Sequence, residues 1–328
     1  MKCPNVLGEA YLATSGGFLR SQYRCRPDAL DLSRAASALQ KLRNIRITDC
    51  EEIPIVLSLG LCLLTFELFL STGLTNLICR HTLSLIKPWY SSIIGDVELE
   101  FEMLCLIHLD TTDCLIRRQV PVLKYVVQDE SRVDRYTGLC STLLPILYEV
   151  CELGYLSRQT RFEDISLDSS RFAYLEREVQ NWRPSPASHF LDRFSSHEVI
   201  LMLTQAKVLQ AATLLIIHRL QFPFGTDDHI AKLRAQYIFS ELDLCKALTD
   251  RSPKTTLLGF LVAALEIDGS DHRRRLIHAL RSGENGVYYV VDSNLADFIQ
   301  LVWKGRDKGS NGSFFDLLDS HPSLTVRP

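Results

Sequence analysis

Residues 206–240 read AKVLQAATLLIIHRLQFPFGTDDHIAKLRAQYIFS, a long apolar run followed at once by an amphipathic one. The segment Val199–Leu220 is apolar nearly all round a helix, which is typical of a central buried helix. Pro223 cannot continue that helix, and Gly225 supplies the freedom for a turn. The sequence therefore predicts a tight pair of helices.

Capping residues mark where these two helices begin. Ser195 and Glu198 have the spacing of a capping box, which predicts the start of the first helix. Asp227 is placed to cap the second helix. That helix is predicted from apolar residues that recur at helical spacing, namely Ile230, Leu233, Tyr237, Ile238, Leu242 and Cys245.

Helical periodicity extends over most of the chain, from Asp28 to Lys304. Strand-like alternation is nearly absent, and VYYVV at 287–291 is the one short exception. We therefore expect an all-α fold, an orthogonal array of several helices. Further helices are predicted at 54–71, 75–87, 96–108, 113–127, 137–158, 254–267, 270–282 and 293–304. Loops are predicted at 182–188, 283–286 and 305–313, where residues that break regular structure cluster.

The predicted loops suggest how the chain is organised. We predict an N-terminal segment at 1–27, a helical domain at 28–305 and a C-terminal tail at 306–328. The first loop also allows a division of the domain into halves, 28–182 and 189–305. A single domain is favoured, because so short a loop need not separate two independent cores.

Composition limits the functions open to this chain. A net charge of -3 and a pI near 6.3 argue against direct DNA binding, which normally needs a basic surface. The ten cysteines include no CxxC pair, so we predict no metal site, and no cofactor is expected. Without a secretory signal, the thiols are expected to be reduced inside the cell.

The apolar run at 53–70 approaches the length of a membrane span. Pro54 and Glu67 interrupt it, and a charged group is costly in lipid. We therefore interpret the run as a buried core helix and predict no membrane contact. The N-terminus lacks the apolar core of a signal peptide.

Motifs of known enzyme chemistry are incomplete. Residues 197–201, HEVIL, begin like a zinc protease motif but end in leucine where the second histidine must stand. The pair Asp227–Asp228 resembles the start of a motif for magnesium-bound diphosphate, although helix capping is the favoured role. Asp110 and Asp113 are interpreted as a helix boundary. No catalytic residue is assigned.

Five ionisable residues are the candidates for a ligand site or a buried polar network. Glu67, His81 and Glu266 lie in apolar runs, where burial would require partners. His218 and Arg219 close the most apolar helix, where positive groups bind the free carbonyls of the helix end. A structural network is the first interpretation for all five, and ligand contact or catalysis is the second.

The order of residues in the helical pair resembles the middle regulatory region of fungal zinc-cluster transcription factors. The matching residues are Ala206, Ala211, Ala212, Leu214, Leu215, His218, Arg219, Leu220, Pro223, Phe224 and Gly225. Weaker matches in the expected order extend the resemblance over residues 30–305, among them Phe66, Glu67, Gly73, His81, Leu175, Trp182, Pro184, Ala263, Ala264, Glu266 and Phe298.

The resemblance implies a helical effector domain that acts by binding. Members of this family usually carry a six-cysteine zinc cluster, a linker and a dimerising coiled coil, and the printed sequence contains none of these. We therefore expect the effector role to transfer to this chain, and DNA binding not to transfer.

The expected function is that of a transcription-regulator-like protein, in the nucleus or alternatively in the cytoplasm. It would sense a small apolar metabolite, recruit a transcriptional co-regulator, or do both, and it could form a homodimer. A different class of function is a helical scaffold repurposed as an enzyme or carrier for a hydrophobic natural product. A third alternative is a truncated gene product. The sequence does not separate these alternatives.

Overall fold

The computed structural model describes residues 4–23, 25, 27–70, 73–159, 165–282, 293–309 and 313–319. The described residues form helices and contain no strand, so the prediction of an all-α fold is confirmed. The α-helices are α1 (Pro4–Gln22), α2 (Ala29–Asn44), α3 (Ile53–Leu70), α4 (Thr75–Ile86), α5 (Tyr90–Ile93), α6 (Val97–Arg117), α7 (Leu144–Gln159), α8 (Ile165–Asn181), α9 (Phe190–Arg193), α10 (Ser196–Gln221), α11 (Asp228–Thr249), α12 (Leu257–Leu265), α13 (Ser270–Ser282), α14 (Ser293–Asp307) and α15 (Phe314–Asp319). The strand-like piece at 287–291 and the loop at 283–286 lie outside the described residues.

The predicted helical pair is confirmed as α10 and α11. The capping box is present, because Glu198 donates its backbone N–H to Ser195 Oγ and accepts the Ser195 N–H on its own carboxylate. Gly225 takes a φ of +90°, in the left-handed region that glycine tolerates best, and this allows the sharp turn. α10 is buried along most of its length and packs against both α11 and α12.

The predicted cap of α11 is wrong in its detail. Asp227 stands at the N-cap position, but it has a left-handed backbone with φ of 48°, and its side chain makes no capping hydrogen bond. The next residue, Asp228, instead accepts the N–H of Gly225 at 3.1 Å. Asp228, rather than Asp227, therefore stabilises the turn between α10 and α11.

The prediction of separate helices at 96–108 and 113–127 is also wrong, because α6 runs unbroken from Val97 to Arg117. Asp110 and Asp113 do not end the helix, since each carboxylate has a cationic partner. Arg80 Nη1 lies 3.0 Å from Asp110 Oδ1. Arg117, one turn after Asp113 on the same helix, places its Nε 3.0 Å from Asp113 Oδ2. Beyond α6 the chain continues as loop, without the predicted second helix.

Two other helix ends differ from the prediction. α7 begins at Leu144 rather than near 137, because Asp134 accepts the backbone N–H of Thr137 at 2.7 Å and holds this segment in a turn. α14 continues to Asp307 and so includes the first three residues of the predicted loop at 305–313. The predicted loop at 182–188 is confirmed as non-helical.

The chain divides into two compact units. The first comprises residues 1–110 and 122–128, and its core is centred on α3, which packs against α1, α2 and α4. The second comprises residues 111–121 and 129–328, and its core is centred on α10. The domain boundaries proposed from the sequence stay a prediction.

Two helical segments, Cys50–Leu70 and Ser196–Gln221, are long and apolar enough to cross a membrane by length and composition alone. Of their most apolar windows, 56% and 61% respectively are buried inside the protein. A core helix of a soluble protein has the same properties, so the absence of membrane contact stays a prediction.

Candidate functional site

An apolar cleft opens between α2 and α4 in the first unit. Its volume is about 370 Å³, which lies within the range of small-molecule pockets. The cleft is lined by Leu39, Leu42, Arg43, Leu74, Leu77, Ile78 and His81. Leu77 is 67% exposed, so apolar surface at this cleft stays open to solvent.

Helical spacing brings these side chains together. On α2, Leu39, Leu42 and Arg43 stand three and four residues apart and share one face. On α4, Ile78 and His81 repeat this spacing. His81 Nε2 lies 3.3 Å from the carbonyl oxygen of Leu42, which links the two helices at the cleft wall.

Glu67 supports the start of α4. Its buried carboxylate accepts the backbone N–H of Leu74 at 3.1 Å. Leu74 is the N-cap residue of α4 and cannot cap the helix with its own side chain. A carboxylate at this end is also favoured by the helix dipole. Glu67 therefore positions Leu74, one of the cleft residues.

A buried ion-pair cluster lies at the end of α10 in the second unit. Arg219 donates from Nε and Nη2 to the two carboxylate oxygens of Glu266, at 2.7 and 2.6 Å. Its Nη2 also donates to Asp228 at 2.8 Å. The remaining nitrogen, Nη1, donates to the carbonyls of Phe222 and Pro223, at 3.3 and 3.2 Å. One guanidinium thus ties the α10–α11 turn to α12.

A second arginine completes this cluster. Arg306 of α14 lies 3.8 Å from Asp228 and 3.9 Å from Glu266. The ring of Phe224 contacts both guanidinium groups, with its centroid 4.8 Å from Arg219 and 4.6 Å from Arg306. The positive charges of the two arginines balance the negative charges of Asp228 and Glu266, which offsets the free energy cost of removing them from water.

The titration properties of the cluster indicate a structural role. Burial lowers the pKa of Arg219, but hydrogen bonds to Glu266 and Asp228 and their charges outweigh it, so the pKa is raised. Burial acts to raise the pKa of Asp228, but Arg219 outweighs it and the pKa is lowered. Both groups stay charged at neutral pH, which suits a permanent ion pair better than proton transfer.

His218 is held neutral beside this cluster. Burial lowers its pKa, and the charges of Arg234 and Arg219 lower it further. Its Nε2 lies 3.2 Å from the carbonyl oxygen of Asp227, so it contacts the same turn.

The structure brings together some of the five predicted residues. Arg219 and Glu266 bind each other directly, and His218 contacts the turn that Arg219 holds. In the first unit, His81 lines the cleft and Glu67 supports its edge. A ligand role for any of the five stays a prediction.

Sequence reasoning missed several residues of both sites. Arg306 and Asp228 join the ion-pair cluster, and Leu39 and Leu77 line the cleft. For the cleft, the sequence did contain a signal, because the lining residues of α2 and of α4 are three and four positions apart and so share one face of each helix. No local pattern indicated that Arg306 would meet Glu266, because 40 positions separate them.

Among the described residues, no group of three or more His, Cys, Asp or Glu side chains could hold a metal ion. The nine described cysteines are free thiols.

Comparison with known proteins places the chain in a family. The sequence model of the fungal specific transcription factor domain matches residues 11–326, nearly the whole chain. The chain therefore belongs to this family, and the resemblance to the regulatory region of these factors is confirmed. No curated protein and no solved structure matches the chain significantly. The alternative of a repurposed enzyme or carrier gains no support from these comparisons.

Proposed function

We propose that this chain is the effector module of a transcription regulator and acts in the nucleus. The observation that carries the proposal is the family match over residues 11–326. The acidic net charge of -3 supports an effector that acts by binding rather than a surface that reads DNA.

We further propose that the α2–α4 cleft binds a small apolar metabolite. Five of its seven lining residues are leucine or isoleucine, and the volume of about 370 Å³ suits a compact ligand. Arg43 and His81 also line the cleft, and they do so mainly through their apolar atoms. The favoured ligand is therefore a compact and predominantly apolar molecule.

Ligand binding in this cleft would be coupled to the position of α4. The ligand would contact α2 and α4 together, and would therefore favour the arrangement in which both helices line the cleft. A ligand shifts a conformational equilibrium only through its different affinities for the two states. The transcriptional output would follow from that shift, and recruitment of a co-regulator is the expected consequence.

A reporter experiment tests the effector role. The chain is fused to a heterologous DNA-binding domain, and expression of a reporter gene is measured in fungal cells. We expect the fusion to raise or lower expression relative to the DNA-binding domain alone. Equal expression would contradict the effector role.

A binding experiment tests the cleft separately. The probe is anilinonaphthalene sulfonate, a fluorescent apolar anion. We expect Leu77→Asp to weaken its binding several-fold, because this leucine lines the cleft, and its 67% exposure predicts that the fold tolerates the change. The matched control is Leu191→Asp in the second unit, where the leucine is 72% exposed. Equal binding by the two variants would contradict the cleft as a binding site.

A further inference from the structure

A row of exposed apolar side chains runs along α11. Leu233, Tyr237, Leu244 and Leu248 are 64%, 45%, 53% and 53% exposed. At about 100° per residue, all four project within an arc of roughly 60°, and they extend over about 22 Å of helix. We name these four residues the α11 stripe. Apolar side chains gathered on one exposed face of a helix can form an interaction surface.

The α11 stripe has a symmetric spacing. Its successive intervals are four, seven and four residues, so the row is the same in both directions along the helix. If a second α11 packs against it in antiparallel orientation, Leu233 lies opposite Leu248 and Tyr237 lies opposite Leu244. The two-fold axis then passes between Ser240 and Glu241.

This symmetry favours a second copy of the chain as the partner. In a two-fold dimer, the same patch is used by both subunits, and each residue pair occurs twice. The spacing of the α11 stripe meets this requirement, because each of its four residues lies opposite another residue of the stripe when two copies pack antiparallel. A partner of different sequence would not require a symmetric row.

The charges near the axis are compatible with this packing. Two copies of Glu241 would approach each other there, and two unpaired carboxylates would repel. Each Glu241 is neutralised within its own chain, because Lys207 Nζ lies 3.0 Å from its Oε2. Ser240 at the axis is small and uncharged.

We propose that the chain forms a two-fold homodimer through the α11 stripe, independently of the cleft. The stripe covers about 22 Å by 10 Å of helix surface. This is less than the roughly 800 Å² per partner of a standard interface, so we expect a weak and reversible dimer.

Sedimentation velocity of the full chain tests the proposal, over protein concentrations from about 1 μM to about 1 mM, the range in which a weak dimer forms. We expect the wild-type protein to shift from monomer to dimer, and Leu244→Glu to remain monomeric throughout. Leu191→Glu is the matched control and should dimerise as the wild type does, since it is a similarly exposed leucine outside the stripe. Circular dichroism and thermal unfolding confirm that both variants are folded.

A cross-linking experiment tests the position of the axis. Ser240→Cys is introduced in a chain in which Cys3, Cys25 and Cys50 are replaced by serine. Mild oxidation should join two chains through residue 240, whereas Arg274→Cys in the same background should give no specific product. A wild-type protein that is monomeric at all concentrations overturns the proposal and leaves the stripe to a different partner. A dimer that Leu244→Glu leaves intact also overturns it, because another face must then form the interface.

Discussion

Arg219 makes the largest set of polar contacts in the buried cluster, and its replacement tests that cluster most directly. Arg219→Ala would leave Glu266 buried without its bidentate partner, so we expect the free energy of unfolding to fall by about 3 to 5 kcal/mol. Arg219→Lys should recover only part of this loss, because an ammonium group cannot bind both carboxylate oxygens in the same geometry. Urea denaturation followed by circular dichroism measures both values.

The matched control for this prediction is Arg274→Ala. Arg274 lies 3.6 Å from Asp271 in an exposed pair, and such pairs contribute less than about 1 kcal/mol. Equal losses for Arg219→Ala and Arg274→Ala would show that the buried cluster does not stabilise the fold.

His108 gives a pH dependence with a definite sign. Burial lowers its pKa to about 4, whereas a histidine in the unfolded chain titrates near 6.5. As the pH falls, the unfolded chain takes up this proton first, so stability is complete above about pH 6.5 and is lost progressively toward pH 4. The loss corresponds to about 3 kcal/mol, at about 1.4 kcal/mol per pKa unit.

The slope of unfolding free energy against pH between about 6.5 and 5 measures this effect, since carboxylates contribute little in that range. We expect His108→Gln to flatten the slope. Some slope should remain, because the pKa of His218 is lowered as well. The control His197→Gln alters an exposed histidine and should leave the slope unchanged. An identical slope in wild type and His108→Gln would contradict the assignment.

At the scale of helices, the contact between α10 and α12 depends on the absence of a side chain at Gly259. A Cβ atom there would lie 2.4 Å from Val208 Cγ1 and 3.4 Å from the Val208 carbonyl oxygen. Valine has one strongly preferred rotamer in a helix and cannot easily move aside. Gly259→Ala should therefore destabilise the protein by about 1 to 3 kcal/mol in urea denaturation.

Two further variants make this helix-packing prediction specific. Adding Val208→Ala to Gly259→Ala should give a smaller loss than the sum of the single losses, because the colliding methyl group is removed. Gly305→Ala in α14 has no neighbour within 4 Å of the new Cβ, so it should be neutral or stabilise by up to about 1 kcal/mol. Strict additivity of the first pair would count against close packing at this contact.

The sequence predicted some helices well and others poorly, for reasons that are physical. α3 and α13 were located to within a residue, because their apolar or amphipathic patterns are strong and their ends are marked locally. The break within α6 was predicted wrongly, because aspartate alone favours a helix end. The partner that keeps Asp110 inside the helix, Arg80, comes from a different helix and is not evident from the local pattern.

At the scale of the whole molecule, the reactivity of each cysteine shows whether the fold buries it. Cys25 and Cys50 are exposed, whereas the other seven described cysteines are buried. Burial raises the pKa of Cys62 to about 11 and that of Cys140 to about 12, which further suppresses the reactive thiolate. We expect iodoacetamide to label Cys25 and Cys50 in the native protein and the buried seven only after unfolding, as measured by peptide mass spectrometry.

Cys25 and Cys50 are the internal control for that labelling. Rapid modification of Cys140 under native conditions would contradict its burial, since it is enclosed in the second unit and its side chain has no exposure.

The candidate sites could be predicted only in part, because they depend on how the helices pack against one another. Periodicity identified Glu67 and Arg219 as charged groups in apolar surroundings, and both are buried with partners. It did not reveal that α2 and α4 leave leucines exposed around a cleft, because a pattern names the apolar face of each helix but not which faces meet. The tertiary arrangement decides that, and no local sequence signal contains it.

The Arg219–Glu266 pair has a consequence for the lifetime of the folded chain. It joins side chains 47 positions apart, and closing such a loop costs about 3 kcal/mol in chain entropy. We expect a contact of this kind to form only after α10 and α12 have come together, and contacts absent from the transition state mainly slow unfolding rather than speed folding. We therefore expect Arg219 to slow the unfolding of the native state, and with it the rate at which proteases reach an opened form.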